Sequence, residues 1–305
     1  MGEQYKNQHI VSQAYLNRFA VKKGEKYIIG TRLNSDNKNG VKLFSSSVKD
    51  VGYIKNYYDT KQKEDKKFWE HYLDENFDTL CGTPLGNIIA NITLSSPNTQ
   101  VISSASKTVL SRIIMSQAIR VPAYLDDQIE KSDALLRTYK ADIIKQNADL
   151  PHDKIELIKQ ISFDADTRKN MILEGMFGKE RFLRFCKVLE QKVWIAFYNN
   201  IRQQMPFVTS DNPVLFSDIK GTATQITKLG LTSDRMVILF PITPSILIGI
   251  YSPNIYFGKF KDYDGKRLNI DDEKFIMKVN TEIITQSYIH SFLPEPLFTM
   301  VNEIA

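Results

Sequence analysis

The spacing of apolar residues is helical over most of the chain and changes character at Pro206. Near the start, Val11, Tyr15, Leu16 and Phe19 recur as one helical face. They predict a short opening helix with His9 at or just before its first turn, and with Gln13, Asn17 and Arg18 facing elsewhere. Lys26–Leu33 then reads as a strand and Val41–Phe44 as its hairpin partner, joined by the turn-tolerant run Asn34–Gly40. From Phe68 to Leu80 the period is again helical. Trp69, Tyr72, Leu73 and Leu80 share one side, and His71, Asp74, Glu75 and Asp78 share the other. A second helix begins at Ile88 or near Ser103, carries Leu110, Ile113, Ile114 and Ala118, and stops at Arg120-Val121-Pro122. The stop is expected because a residue before proline is pushed out of the α region. Tyr124–Ala148 continues as a charged amphipathic helix, Pro151–Ile161 as another. Lys179–Asn199 reads as a long helix with the stripe Phe182, Phe185, Cys186, Leu189, Val193, Trp194 and Phe197.

Beyond Pro206 the apolar runs are short and separated by Asp, Asn, Pro and Ser. Phe207–Thr209, Val214–Phe216, Val237–Phe240 and Ile246–Tyr251 are strand signals, with Pro241 and Pro244 shaping a corner. A closing helix spans roughly Asp271 to His290. The pattern predicts an α+β protein in one compact domain over residues 1–305. A mainly helical part over roughly 1–200 packs on a C-terminal antiparallel sheet over roughly 206–260, and a small N-terminal hairpin completes it.

Composition narrows the class. Hydrophobic residues at 42% and charged residues at 25% are near the globular norm, so 305 residues can bury a core. A net charge of +5 permits nucleic-acid contact without requiring it. Cys81 and Cys186 are far apart and belong to no Cys-x-x-Cys pair, which argues against a thiolate zinc site and fits a reducing cytoplasm. The start lacks an apolar signal region, and no run of about 18 apolar residues is present to span a membrane. Phosphate loops, dinucleotide-binding glycine turns, His-Glu-x-x-His and Gly-x-Ser-x-Gly are all absent.

Candidate chemistry lies in separated polar stretches. His9 can donate, accept or ligate, or simply brace a helix entry. His71, Asp74, Glu75 and Asp78 lie within reach of one another on one helical face, as in a metal-binding bundle or as on any solvated face. Arg120 either caps helix carbonyls or binds a phosphate or carboxylate. Asp211 and Asn212, in Thr209-Ser210-Asp211-Asn212-Pro213, either fold into an Asx turn or present a carboxylate at a strand end.

Taken together, these stretches resemble a bacterial family catalogued as domain of unknown function 4238. Its members tend to open with His-His-Tyr-Val-Pro-x-x-Tyr-Leu-x-x-Phe, against Gln8-His9-Ile10-Val11-Ser12-Gln13-Ala14-Tyr15-Leu16-Asn17-Arg18-Phe19 here. The likeness continues at Tyr57-Tyr58, Arg120-Val121-Pro122, Thr209–Pro213 and Phe240-Pro241-Ile242-Thr243-Pro244. Gln8 replaces the first histidine and Ser12 the proline, so only His9 carries over as an opening histidine. The family's name assigns no activity.

Two functions compete. In the first, the chain is a metal-dependent nuclease or phosphodiesterase, an effector in bacterial phage defence or a toxin system. His9, Glu75 and Asp211 would hold Mg²⁺ or Mn²⁺, with His9, Arg120, Asp211 and Asn212 at the reacting phosphate and nucleic acid as partner. In the second, it is a non-catalytic binding or sensor module, its polar motifs structural and its partner a protein encoded nearby. A toxin acting on a nucleotide is a variant of the first.

Overall fold

The structure, a computed structural model, describes residues 7–33, 42–65, 67–221, 223–224, 230–254, 256–295 and 297. The chain opens with β1 (Asn7–His9), α1 (Gln13–Leu16), β2 (Val21–Lys23), β3 (Lys26–Leu33), β4 (Lys42–Ser47) and β5 (Tyr53–Lys55). The opening helix is thus one turn long, and His9 sits on a strand before it, where β1 pairs antiparallel with β5 and His9 faces Tyr53. Val11, Tyr15, Leu16 and Phe19 are all buried. The hairpin forms, with Leu33 opposite Lys42. Its turn and Val41 lie outside the described residues.

The middle of the chain is helical: α2 (Phe68–Asn76), a 3₁₀ turn at Asp78–Cys81, α3 (Thr83–Leu94), α4 (Ser104–Ile119), α5 (Pro122–Gln146), α6 (His152–Gln160), α7 (Ala165–Phe177) and α8 (Lys179–Glu190). Of the two starts expected for the helix ending at Ile119, the one near Ser103 is where α4 begins, and Ile88 lies inside a separate helix, α3. Local chemistry sets several ends. The Ser103 Oγ accepts from the Ser106 amide at 3.1 Å and starts α4. Val121 is extended, as its position before Pro122 requires, and Pro122 begins α5. Asp164 caps α7 through the amides of Asp166 and Thr167. In α4, every residue from Ile113 to Ile119 is buried, which is the mark of a helix enclosed by the rest of the core.

The C-terminal part holds β6 (Val193–Asn199), β7 (Thr209–Ser210), β8 (Leu215–Ser217), β9 (Ala223–Thr224), β10 (Val237–Thr243), β11 (Ile246–Tyr251), β12 (Arg267–Ile270), α9 (Glu273–Thr285) and β13 (His290–Leu293). This corrects the long helix expected over 179–199. The helix stops at Glu190, and Val193-Trp194-Ile195-Ala196-Phe197-Tyr198-Asn199 is a strand. A run of β-branched and aromatic residues covered on both sides has no helical period to keep. The closing helix also ends earlier than expected, at Thr285, and His290 begins a strand.

Six strands form one sheet in the order β12-β6-β11-β10-β8-β9, antiparallel except that β12 runs parallel to β6. Its two faces alternate residue by residue. Trp194, Ala196, Ile238, Phe240, Ile248 and Ile250 join the core shared with the helices. Val193, Ile195, Val237, Leu239, Leu247 and Tyr251 meet a second cluster with Ile276, Val279 and Ile283 of α9. In a separate sheet, β3 pairs with β2, β4 and β13, and β13 pairs with β7, so the two ends of the described chain are hydrogen-bonded together.

Candidate functional site

His9, Arg120 and the polar side of α2 meet at a cavity of about 600 Å³. Its walls are β1 and α1 on one side, and α2 with the 3₁₀ turn on the other. Gln13 and Asn17 line it from α1, Lys67, Glu70 and Asp74 from the start and face of α2, and Asp78 from the turn. The carboxylates reach it because α2 turns Trp69 into the core away from the cavity, while Leu73, also buried, contributes an apolar patch to the cavity wall.

Arg120 follows α4 and is only 2% exposed. Its Nη1 donates to Asp78 Oδ1 at 2.6 Å and its Nη2 to Asp78 Oδ2 at 3.3 Å. Nη2 also donates to the His9 carbonyl at 2.6 Å, and Nε to Tyr58 Oη at 3.3 Å. Burial works against the charge, but Asp78 and Tyr58 outweigh it and keep the guanidinium protonated. The carboxylate that Arg120 binds is therefore the protein's own.

Burial and then the Arg120 charge hold the His9 imidazole down to about 4, with the Lys49 backbone pulling the other way. His9 is neutral at pH 7. Its Nδ1 stands 3.4 Å from Gln13 Nε2, and its Nε2 is buried without a hydrogen-bond partner of normal geometry. Beside it, Gln8 is fully buried: its Oε1 accepts from the Tyr58 amide and its Nε2 donates to Asp59 Oδ1, both at 2.5 Å.

The remaining motif residues bind to one another away from this cavity. Tyr15 Oη lies 2.7 Å from Thr209 Oγ1 and donates to the Pro241 carbonyl at 2.6 Å, while its ring stacks on Phe240 at 5.2 Å. Asp211 is fully buried, and its carboxylate accepts from the amides of Tyr288, Ile289 and His290 at 2.7, 2.7 and 2.8 Å. Burial pushes this carboxyl up, and the three amides pull it back. Asn212 donates through Nδ2 to the Gln286 carbonyl at 3.0 Å, and Gln286 Nε2 donates back to the Asn212 carbonyl at 2.7 Å. Both residues tie β7 to the segment between α9 and β13.

The expected metal set is thus not brought together. His9 lines the cavity, Asp211 is enclosed by backbone amides, and Glu75 is exposed on α2 outside the cavity wall. Among the described residues, no group of three or more His, Cys, Asp or Glu side chains is placed to hold a metal ion. Of the four residues expected to face substrate, His9 and Arg120 share the cavity, whereas Asp211 and Asn212 serve the fold. Sequence reasoning missed the part played by Asp78 and Tyr58. The helical spacing marks Asp78 as polar, but nothing nearby in the chain indicates Arg120 as its partner.

No curated protein and no solved structure matches the chain. The sequence model of the family described as Protein of unknown function (DUF4238) matches residues 7–293, nearly the whole length. The chain belongs to the DUF4238 family.

Proposed function

We propose that this chain is a binding module whose cavity beside His9 takes a small polar ligand bearing a cationic or hydrogen-bond-donating group. The observation that carries the reading is the charge left over in the cavity. Arg120 is already engaged by Asp78, His9 is neutral, and His71, which also lines the cavity, faces Asp65 at 3.2 Å, which leaves Lys67 against the two carboxylates of Glu70 and Asp74. Such a lining repels a phosphodiester and attracts a cation. The structural use of Asp211, Asn212 and Arg120 also favours a module over an enzyme built on those groups.

Calorimetric titration with agmatine and putrescine, against adenosine monophosphate as the anionic control, tests it. The diamine-type ligands should bind, and Glu70→Gln with Asp74→Asn should weaken them by at least about tenfold, since each charge-assisted contact is worth about that much. Binding of the nucleotide in preference would defeat the reading.

A second reading keeps the metal-dependent nuclease. It is favoured by one observation, that His9 shares its cavity with the carboxylates of Glu70, Asp74 and Asp78. Cleavage of labelled DNA or RNA with Mg²⁺ or Mn²⁺, lost in His9→Ala at unchanged melting temperature, would establish it. Nucleic acid is the proposed partner under that reading. Under the first, a protein partner would carry the response in a bacterial defence setting.

A further inference from the structure

A second cavity, of about 510 Å³, lies along the seam where α8 packs on α4. Its floor is apolar. Met115 comes from α4, Phe185 and Val188 from α8, and Leu231 from the segment before β10. Met115 and Leu231 are buried, and Phe185 and Val188 are half-buried.

The rim is different. Arg181 and Arg184 are exposed on α8, and Tyr124 stands on the first turn of α5. Arg181 and Phe185 are one turn apart, and the guanidinium carbon lies 5.8 Å from the ring centre. Among the described residues, no ion pair involves Arg181 or Arg184. An apolar floor gives a simple anion little to hold, and two guanidiniums at the mouth favour a molecule with a negative head. The volume falls within the range of about 300–1,000 Å³ usual for small-molecule sites.

We propose that this cleft binds a small amphiphilic carboxylate, its acyl chain against Met115, Phe185, Val188 and Leu231 and its head group on Arg181 and Arg184. Arginine suits the head because its planar fork matches a carboxylate. The site is separate from the cavity beside His9 and does not depend on the function proposed for it.

The test is calorimetric titration of the full chain with decanoate, 1-decanol and decyltrimethylammonium. Decanoate should bind at least about tenfold more tightly than the alcohol, and the cationic amphiphile should bind least. Arg181→Gln with Arg184→Gln should bring decanoate to the level of the alcohol at unchanged melting temperature. Should the double variant melt early, Arg184→Gln alone supplies the comparison. Half-buried Val188→Gln should weaken decanoate and decanol alike. Failure of decanoate to bind, equal binding of decanoate and decanol, or undiminished binding by the arginine variants would overturn the proposal.

Discussion

Arg120 holds three segments with one side chain: the carbonyl of β1, the carboxylate after α2 and the hydroxyl of Tyr58. Removing one partner of a buried ion pair leaves the other charge without compensation. Arg120→Ala should therefore lower the unfolding free energy by about 3–5 kcal/mol in urea denaturation. Arg120→Lys should also destabilise, since one ammonium cannot reproduce the planar fork. A loss below about 1 kcal/mol would show the pair to be dispensable. Asp211 makes a comparable case. Asp211→Asn turns an amide group toward three backbone donors and should cost at least about 2 kcal/mol, with ligand affinity at the His9 cavity unchanged.

His9 also predicts a pH dependence. Its folded value of about 4 lies below the unfolded value near 6.5, so the unfolded chain takes up the proton first. The favourable contribution of the neutral ring is complete above about 6.5 and is lost as pH falls from there toward 4, by roughly 3 kcal/mol in all. Burial lowers His290 as well, so it acts with the same sign. Melting temperatures across this range should fall less steeply for His9→Gln than for the parent chain. Parallel curves would remove His9 from the explanation.

At the scale of elements, the turn into β12 depends on a backbone conformation. Gly265 has φ of +75°, and a Cβ there would stand 2.7 Å from the Ile102 carbonyl. Its own amide donates to the Trp194 carbonyl at 2.6 Å, and its carbonyl accepts from Val101 and Ile102. Gly265→Ala should destabilise by more than about 1 kcal/mol, measured by denaturant midpoint, because both the conformation and the space are refused. The elements legible in the sequence have strong local signals: α5 and α6 begin or end near prolines and polar breaks, and β10 and β11 are β-branched runs, although β10 continues through Pro241 to Thr243 and the chain turns only at Pro244. The boundary between α8 and β6 is not legible. Val193, Trp194 and Phe197 continue the helical spacing of α8 by coincidence, and only the flanking strands β11 and β12 make them a strand. β13 is hidden similarly, since its pairing partners β3 and β7 are remote in sequence.

For the whole molecule, the six-stranded sheet is the shared wall of the two apolar clusters. Cys81 and Cys186 belong to the larger one, and burial pushes both thiols up to about 12. Thiol-reactive reagents should label them slowly in native buffer and rapidly in denaturant. Fast native labelling of either would reveal local opening of that core. Among the described residues, no helix is long and apolar enough to cross a membrane. Half of the candidate site is visible in the sequence. His9 and Arg120 do share a cavity, but the acids beside them are those of α2 and its following turn, not Asp211.

The chain's own order of residues determined its α+β class, its buried stripes and most of its helices, because these follow from neighbours a few positions apart. It also carried the family likeness, in five separated stretches. Tertiary structure alone decided what those stretches do. The His9 carbonyl meets Arg120 across 111 positions and Tyr15 meets Thr209 across 194, and Asp211 finds its amides 77 to 79 positions on. Buried polar groups must find hydrogen-bond partners, and which partners are near is a property of topology that no local pattern contains.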